Sequence, residues 1–137
     1  MPFSISSVLT HTLPSAPRPM RLFSSDWQAF CQRVTEQRNG AAVELEIVEP
    51  DGRKTEHGGN MILHSMVFGA KNACSDVIAL SLRGPKELIH EILDPIQVLL
   101  RASRTAGDFN LIQIEAENGI TNLKLHPAIR TDMLAGM

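Results

Sequence analysis

The segment from Glu87 to Val98, ELIHEILDPIQV, holds residue types that acid–base chemistry uses: a single histidine, His90, and three carboxylates, followed by a proline. Histidine is a common general base because its pKa lies close to neutral pH. The same pattern also fits a strand whose carboxylates face solvent, with His90 held at a bend by a backbone carbonyl or a neighbouring carboxylate. The rest of the chain favours this second interpretation.

A small enzyme is nevertheless one hypothesis, with His64 or His90 acting beside a nearby carboxylate or Cys74. Nucleophilic catalysis needs a nucleophile, a base and an orienting group in one site. The chain has no G-x-S-x-G nucleophile elbow and no phosphate-binding loop sequence. His57 and His64 are seven residues apart, which is not the spacing of a local zinc-ligand pair. We therefore predict no metal site and no cofactor.

The composition is that of a single soluble domain. The chain has 137 residues, of which 43% are hydrophobic and 20% are charged. A net charge of −2 argues against nucleic acid as the partner, because phosphate binding needs clustered lysine and arginine. A nucleic-acid-binding small β-barrel is a further alternative, for which the basic residues to consider are Arg83, Lys86, Arg101 and Arg104.

The cysteines and the apolar runs indicate the cellular compartment of the protein. Cys31 and Cys74 are far apart and lack C-x-x-C spacing, which is typical of a reduced, cytoplasmic protein. No apolar run approaches the roughly 18 residues that a membrane span requires. The first 25 residues are rich in serine and contain no acid, so a transit peptide stays open as an alternative.

Residues 1–22 are predicted to form an arm outside the domain. Three prolines between positions 14 and 19 prevent a continuous helix. The residues before them, Phe3, Ile5, Val8 and Leu9, are more apolar than a solvated tail requires. An extended apolar segment finds backbone partners at an exposed sheet edge. We therefore expect the arm to pack on a second copy of the chain, giving a homo-oligomer.

One amphipathic helix follows the arm. Apolar residues recur on one helical face, and Asn39-Gly40 supplies a residue that ends a helix in the left-handed conformation. The spacing predicts three to four turns with a buried stripe, and a capping box at its start. The stripe is Trp27, Phe30, Cys31 and Val34, and the capping box is Ser25 with Gln28.

After Gly40 the apolar period changes from helical to two, which indicates strands. The polar segment RKTEHGG is predicted to be a flexible connection, and residues 85–93 are either extended or a short helix. Asn118-Gly119 predicts a tight hairpin in which both central residues have positive φ, so that Ala116 lies opposite Thr121. The other predicted strands are VELEI, MILHSMVF, DVIALSL and IQVLLRA.

These elements predict an α+β domain over residues 23–129, with a C-terminal tail at 130–137. The N-terminal helix should pack on a curved, mainly antiparallel sheet of five or six strands, which forms a small open barrel or half-barrel.

Four short motifs follow one another along the chain: Trp27 with Phe30, Gly40 before VELEIV, His90-Glu91-Ile92 with Pro95 and Val98, and Ile112-Gln113-Ile114 with Gly119. In the order of these motifs the chain resembles an uncharacterised bacterial family, domain-of-unknown-function family 5335. The likeness covers about residues 21–127 and departs at Ala41 and Ala42, where the family often has an aromatic residue. It implies that residues 88–93 are extended, and it carries no activity that could be transferred.

The leading prediction is therefore a non-enzymatic protein-interaction or self-assembly module. No group of residues converges on one kind of chemistry, and the arm is too apolar to stay in water. We expect the partner to be a second copy or another protein, and neither a membrane nor nucleic acid.

Overall fold

The computed structural model describes residues 19–102 and 108–137, which contain one α-helix and nine β-strands. Short 3-10 turns precede the helix at Ser24–Asp26 and follow the last strand at Thr131–Leu134. The elements are β1 (Met20–Leu22), α1 (Trp27–Arg38), β2 (Ala42–Val48), β3 (Lys54–His57), β4 (Ile62–Asn72), β5 (Ser75–Arg83), β6 (Leu88–Leu93), β7 (Pro95–Ala102), β8 (Asp108–Ala116) and β9 (Gly119–Arg130).

All the strand pairs are antiparallel, and the order across the sheet is β1-β7-β8-β9-β2-β4-β5-β6, with β3 added to β2. The prediction of an α+β fold with one helix on an antiparallel sheet is confirmed. The predicted number of five or six strands is wrong. The sheet is also not closed, since β1 and β6 stand at its two ends and do not pair with each other within the described residues.

Three strands account for the error in the strand count. Residues 20–22, assigned to the arm, form β1 and pair with β7. The segment KTEH, which the sequence predicts to be part of a flexible connection, is β3. It lies at an edge with little burial, and a strand exposed on both faces carries no apolar alternation to reveal it. Residues 88–93 are extended as β6, which settles the open choice between strand and helix.

The helix buries the stripe that its sequence indicates. Trp27, Phe30, Cys31 and Val34 are all buried, and the Trp27 ring packs edge-on against the Phe68 ring of β4 at 5.6 Å between centroids. The helix ends before Gly40, which has a φ of +88°. The predicted capping box is wrong. A 3-10 turn occupies residues 24–26, and the N-cap residue makes no side-chain capping bond.

The end of the helix is bonded to the backbone of β4. The Thr35 hydroxyl donates to the Met66 carbonyl at 2.8 Å and accepts from the Met66 N–H at 2.9 Å. The Asn39 amide donates to the His64 carbonyl at 2.7 Å, and the Gly40 N–H donates to the Leu63 carbonyl at 2.8 Å. Helix residues therefore supply partners for β4 beyond the point where β2 stops pairing with it, at the Ala42–Ile62 pair.

The sheet folds over on itself. The evidence is that β6 lies four positions from β9 in the strand order and yet contacts it. In a flat sheet these strands would be about 19 Å apart, at about 4.8 Å per strand. Instead, the His90 ring of β6 meets the Thr121 hydroxyl of β9, with Nε2 and Oγ1 3.0 Å apart. The inner faces of the two halves together form the core. Its fully buried members include Leu45, Leu63, Met66, Ile78, Leu80, Leu82, Leu100, Ile112, Ile114 and Leu123.

The terminal hairpin exists, but its predicted register is wrong by two residues. Ala116 lies opposite Gly119, and Ile114 lies opposite Thr121. Glu117 and Asn118 form the turn, and only Gly119 has a positive φ, +142°. A slip of two residues keeps every side chain on its predicted face, so alternation alone does not distinguish the two registers.

The bond between the helix and β4 gives a direct test. Thr35→Val keeps the shape of the side chain but removes both bonds to Met66, and it leaves a partly buried N–H and C=O without their partner. We expect the free energy of unfolding to fall by about 1–3 kcal/mol in urea titrations. Thr35→Ser retains the hydroxyl and should lose clearly less. Equal losses for the two variants would mean that the hydroxyl bonds do not matter.

A second test concerns Gly119. A Cβ atom at this position would lie 2.5 Å from the Val48 carbonyl oxygen, and the φ angle already disfavours any other residue. We expect Gly119→Ala to cost about 1–3 kcal/mol of stability through this strain. Gly52→Ala is the matched control, because Gly52 also has a positive φ but open space around it. If both variants unfold at the same denaturant concentration, the close approach to Val48 has no energetic weight.

Candidate functional site

His90, the first predicted catalytic candidate, faces the core side of the sheet. It lies opposite Leu80, which is fully buried. Within the described residues, the one hydrogen bond of its side chain joins it to the Thr121 hydroxyl. Burial lowers the pKa of His90 below its ordinary value, and the charge of His57 lowers the pKa further. The adjoining cavity is only about 40 Å³, the room of about one water molecule. His90 therefore joins two layers of the fold rather than facing a substrate cleft.

The carboxylates around His90 do not act on it. Glu87, Glu91 and Asp94 are all exposed, as the solvent-facing interpretation of this segment predicts. Glu91 accepts from the Lys71 ammonium of β4 at 2.9 Å. The acid–base interpretation of the segment would need one of these oxygens at the imidazole, and the hydrogen bonds of the described residues place none there.

His64 and Cys74 lie far apart. His64 is at the start of β4, where its Nε2 accepts from the Arg83 guanidinium at 3.3 Å. Cys74 is exposed in the turn that joins β4 to β5, at the other end of the same hairpin. Eight residues of extended strand separate His64 from Asn72 at the end of β4, a distance of about 26 Å at the usual rise per residue. His90 pairs with Leu80, six residues after Cys74, and β5 lies between β6, which carries His90, and β4, which carries His64. The three candidates therefore occupy different parts of these strands.

The remaining titratable groups do not form a metal site in the part of the chain that the structure describes, where no group of three or more possible ligands converges. Cys31 lies on the buried face of the helix, and burial raises the pKa of its thiol to about 12. A thiol with so high a pKa is a poor nucleophile, because the thiolate is the reactive form. Both cysteines are free.

The outer face of β8, β9, β2 and β3 is polar. One row of directly opposed residues across these strands is Gln113, Asn122, Glu46 and Glu56, and the Asn122 amide donates to Glu46 at 2.9 Å. A groove of about 1050 Å³ crosses the same side, and Lys124 and His126 are among its lining residues. This half of the sheet has the solvent-facing surface usual for an antiparallel sheet.

The outer face of β4, β5 and β6 differs sharply from that polar half. Its three rows of directly opposed residues contain one charge among nine positions, and the charge, on Glu91, is neutralised by Lys71. The largest side chains are also exposed: Ile89 by 65%, Val67 by 54% and Leu93 by 42%. We call this surface the β4–β6 face. Its rows are Ser65–Ser81–Ile89, Val67–Ala79–Glu91 and Gly69–Val77–Leu93.

The β4–β6 face ends at the edge of β6, which has no strand partner within the described residues. Proteins shield sheet edges by making them short or by placing charges on them, because unpaired backbone groups attract other strands. The edge strand β1 has three residues, and β3 has the polar sequence KTEH. The edge strand β6 has six residues, LIHEIL, with one charged side chain among them. Within the described residues it is the longest edge strand, and it has the largest number of apolar residues.

The predicted interaction residues Phe3, Ile5, Val8 and Leu9 lie outside the described residues. The β4–β6 face was not predicted from the sequence. Strict alternation in LIHEIL separates Ile89 and Leu93 from His90, but both sides are apolar, and the pattern does not say which side faces solvent. Only the folding of the sheet, which sets His90 against Thr121 of β9, shows that the Ile89 side is the uncovered one.

His90 also sets an expected dependence of stability on pH. Its pKa in the folded protein lies below the ordinary 6.5, so the unfolded chain binds a proton at a higher pH than the folded chain does. The contribution of His90 to stability is therefore complete above pH 6.5 and falls as the pH drops from 6.5 towards the folded pKa. Urea unfolding from about pH 7.5 to about pH 5 should show this fall.

In the same titration, His90→Gln should flatten the fall, because glutamine keeps a polar partner for Thr121 but does not titrate. His126→Gln, on the exposed surface, is the control and should leave the slope of the parent protein. If stability falls equally steeply with pH in the parent and in His90→Gln, the fall does not come from His90.

No helix in the described ranges is both long enough and apolar enough to cross a membrane. The chain matches no protein-family model, no curated protein and no solved structure.

Proposed function

We propose that this protein is a non-enzymatic interaction module that self-associates through the edge of β6 and the β4–β6 face. One observation carries the proposal: two halves of one sheet have opposite outer surfaces. The β8–β9–β2 half is polar, whereas the β4–β6 face exposes Val67, Ile89 and Leu93 around small residues. An uncovered apolar face beside an unprotected edge is the surface that β-strand addition uses, with the edge supplying hydrogen bonds and the face supplying contacts.

The scatter of the catalytic candidates supports the same proposal. His64, His90 and Cys74 occupy separate places, and the cavity beside His90 has room for only about one water molecule. An active site would require these groups to converge. The geometry therefore favours binding over catalysis.

A second copy of the chain is the proposed occupant, because the β4–β6 face has no net charge to attract a charged partner. Lys71 and Glu91 neutralise each other, and the other side chains in its three rows are apolar or small. The chain itself contains an apolar, uncharged segment at residues 3–9 that suits such a surface. The two free cysteines, one of them exposed, support a reducing compartment such as the cytoplasm as the place of assembly.

The test is a change of charge at the centre of the exposed edge. We expect the full-length protein to sediment as a multiple of the chain mass. Ile89→Lys should reduce it to a single chain, because the lysine charge would have to be buried in the contact. Phe23→Lys is the matched control, since Phe23 is 72% exposed and lies between β1 and α1, outside the three rows of the β4–β6 face.

Circular dichroism and the melting temperature check that both variants fold like the parent. A full-length protein that sediments as a single chain at tens of micromolar, or an Ile89→Lys variant that keeps the mass of the parent, would overturn the proposal.

A further inference from the structure

The edge of β6 offers a site of definite length and chemistry. Six residues of strand span about 20 Å at the usual rise per residue. The outward side chains of β6 are Ile89, Glu91 and Leu93, and Lys71 already neutralises the single charge. A segment that adds to this edge should therefore be extended, uncharged, about six or seven residues long and apolar on one side.

Residues 3–9 of this chain, FSISSVL, meet each of these requirements. The segment has seven residues and no charge. In an extended conformation, alternate residues face the same side. Phe3, Ile5 and Leu9 then share one side, with Ser7 between them, and this side would lie on the β4–β6 face. Ser4, Ser6 and Val8 fall on the other side.

The direction of β1 decides whose edge the segment reaches. Met20 lies opposite Leu100 and Leu22 opposite Val98, so the chain before Met20 points towards the end of β7 at Ala102. The edge strand β6 joins β7 at the opposite end, just before Pro95. A segment that continues β1 backwards therefore leads away from the β6 edge of its own chain.

A return to that edge would require a reversal and about 26 Å of travel along the eight residues of β7. The sequence between the segment and β1 disfavours a reversal. Pro14, Pro17 and Pro19 restrict φ and favour an extended chain of about 3.1 Å per residue. Residues 14–19 alone would then span about 19 Å. A spacer of that length is long enough to bring residues 3–9 to the edge of another copy.

We infer that residues 3–9 of one chain add as a strand to the β6 edge of a second chain, with Phe3, Ile5 and Leu9 on the β4–β6 face of that copy. The inference rests on the proposed function and names the partner segment for the same surface. Assembly then depends on two complementary parts of each chain, the segment and the edge, and either part can be disabled separately.

The experiment uses full-length chains with one part disabled at a time. The segment variant is Phe3→Asp with Ile5→Asp, and the edge variant is Ile89→Lys. Each should sediment as a single chain. Ser15→Asp with Ala16→Asp adds the same charge within the proline-rich spacer and should keep the mass of the parent. Leu93→Lys is a second edge variant, in case Ile89→Lys folds poorly.

Mixing the two disabled chains gives the decisive measurement. The segment variant retains an intact edge, and the edge variant retains an intact segment, so their mixture should form a dimer that neither forms alone. If the segment folds back on its own domain instead, mixing restores nothing and the inference is overturned.

Two further outcomes separate this inference from the proposed function. If the segment variant keeps the mass of the parent while Ile89→Lys becomes a single chain, another part of the second copy occupies the edge. The inference then fails and the proposed function stands. If neither variant changes the mass, both fail.

Discussion

The bonds between the end of the helix and β4 are the constraint on which the rest of the structure depends. A strand in the middle of a sheet normally pairs along its whole length, but β4 leaves β2 after the pair Ala42–Ile62. Thr35, Asn39 and Gly40 then supply hydrogen bonds to the β4 backbone. Unsatisfied backbone groups at this point would cost about 1–3 kcal/mol each, so the separation of the two strands depends on the helix being there.

This separation lets one sheet become two layers. Because β4 is no longer tied to β2, the strands β4, β5 and β6 turn over the inner side of β9 and β2. The contact between His90 and Thr121 marks where the layers meet. The inner sides of both layers are apolar and enclose the core. A histidine at this seam is half-buried, and burial lowers its pKa. The residue that looked most catalytic in the sequence is thus part of the packing between the layers.

The two layers end differently, and the difference bears on function. The layer containing β8, β9 and β2 presents glutamate, glutamine, asparagine and lysine to solvent. The other layer presents isoleucine, valine, leucine and small residues, and it ends at β6, whose outer edge has no strand partner within the described residues. The exposure of such residues costs solvation free energy, at about 25 cal/mol for each Å² of apolar surface left in water. A partner that covers the β4–β6 face would recover that energy, which is the physical basis of the proposed self-association.

The sequence by itself determined the elements whose patterns are local. The helix stripe from Trp27 to Val34, the left-handed stop at Gly40 and the alternating strands follow from side-chain periodicity, which needs no knowledge of distant residues. Features that depend on neighbouring strands were decided only by the tertiary structure. The register of the last hairpin shifted by two residues without changing either face, and β3 gave no apolar pattern. In LIHEIL both sides are apolar, so only the place of β6 at the end of a folded-over sheet set His90 against Thr121 and left Ile89 in solvent. The burial of a strand depends on what packs against it, and the periodicity of a single strand does not predict the order of the strands in the sheet.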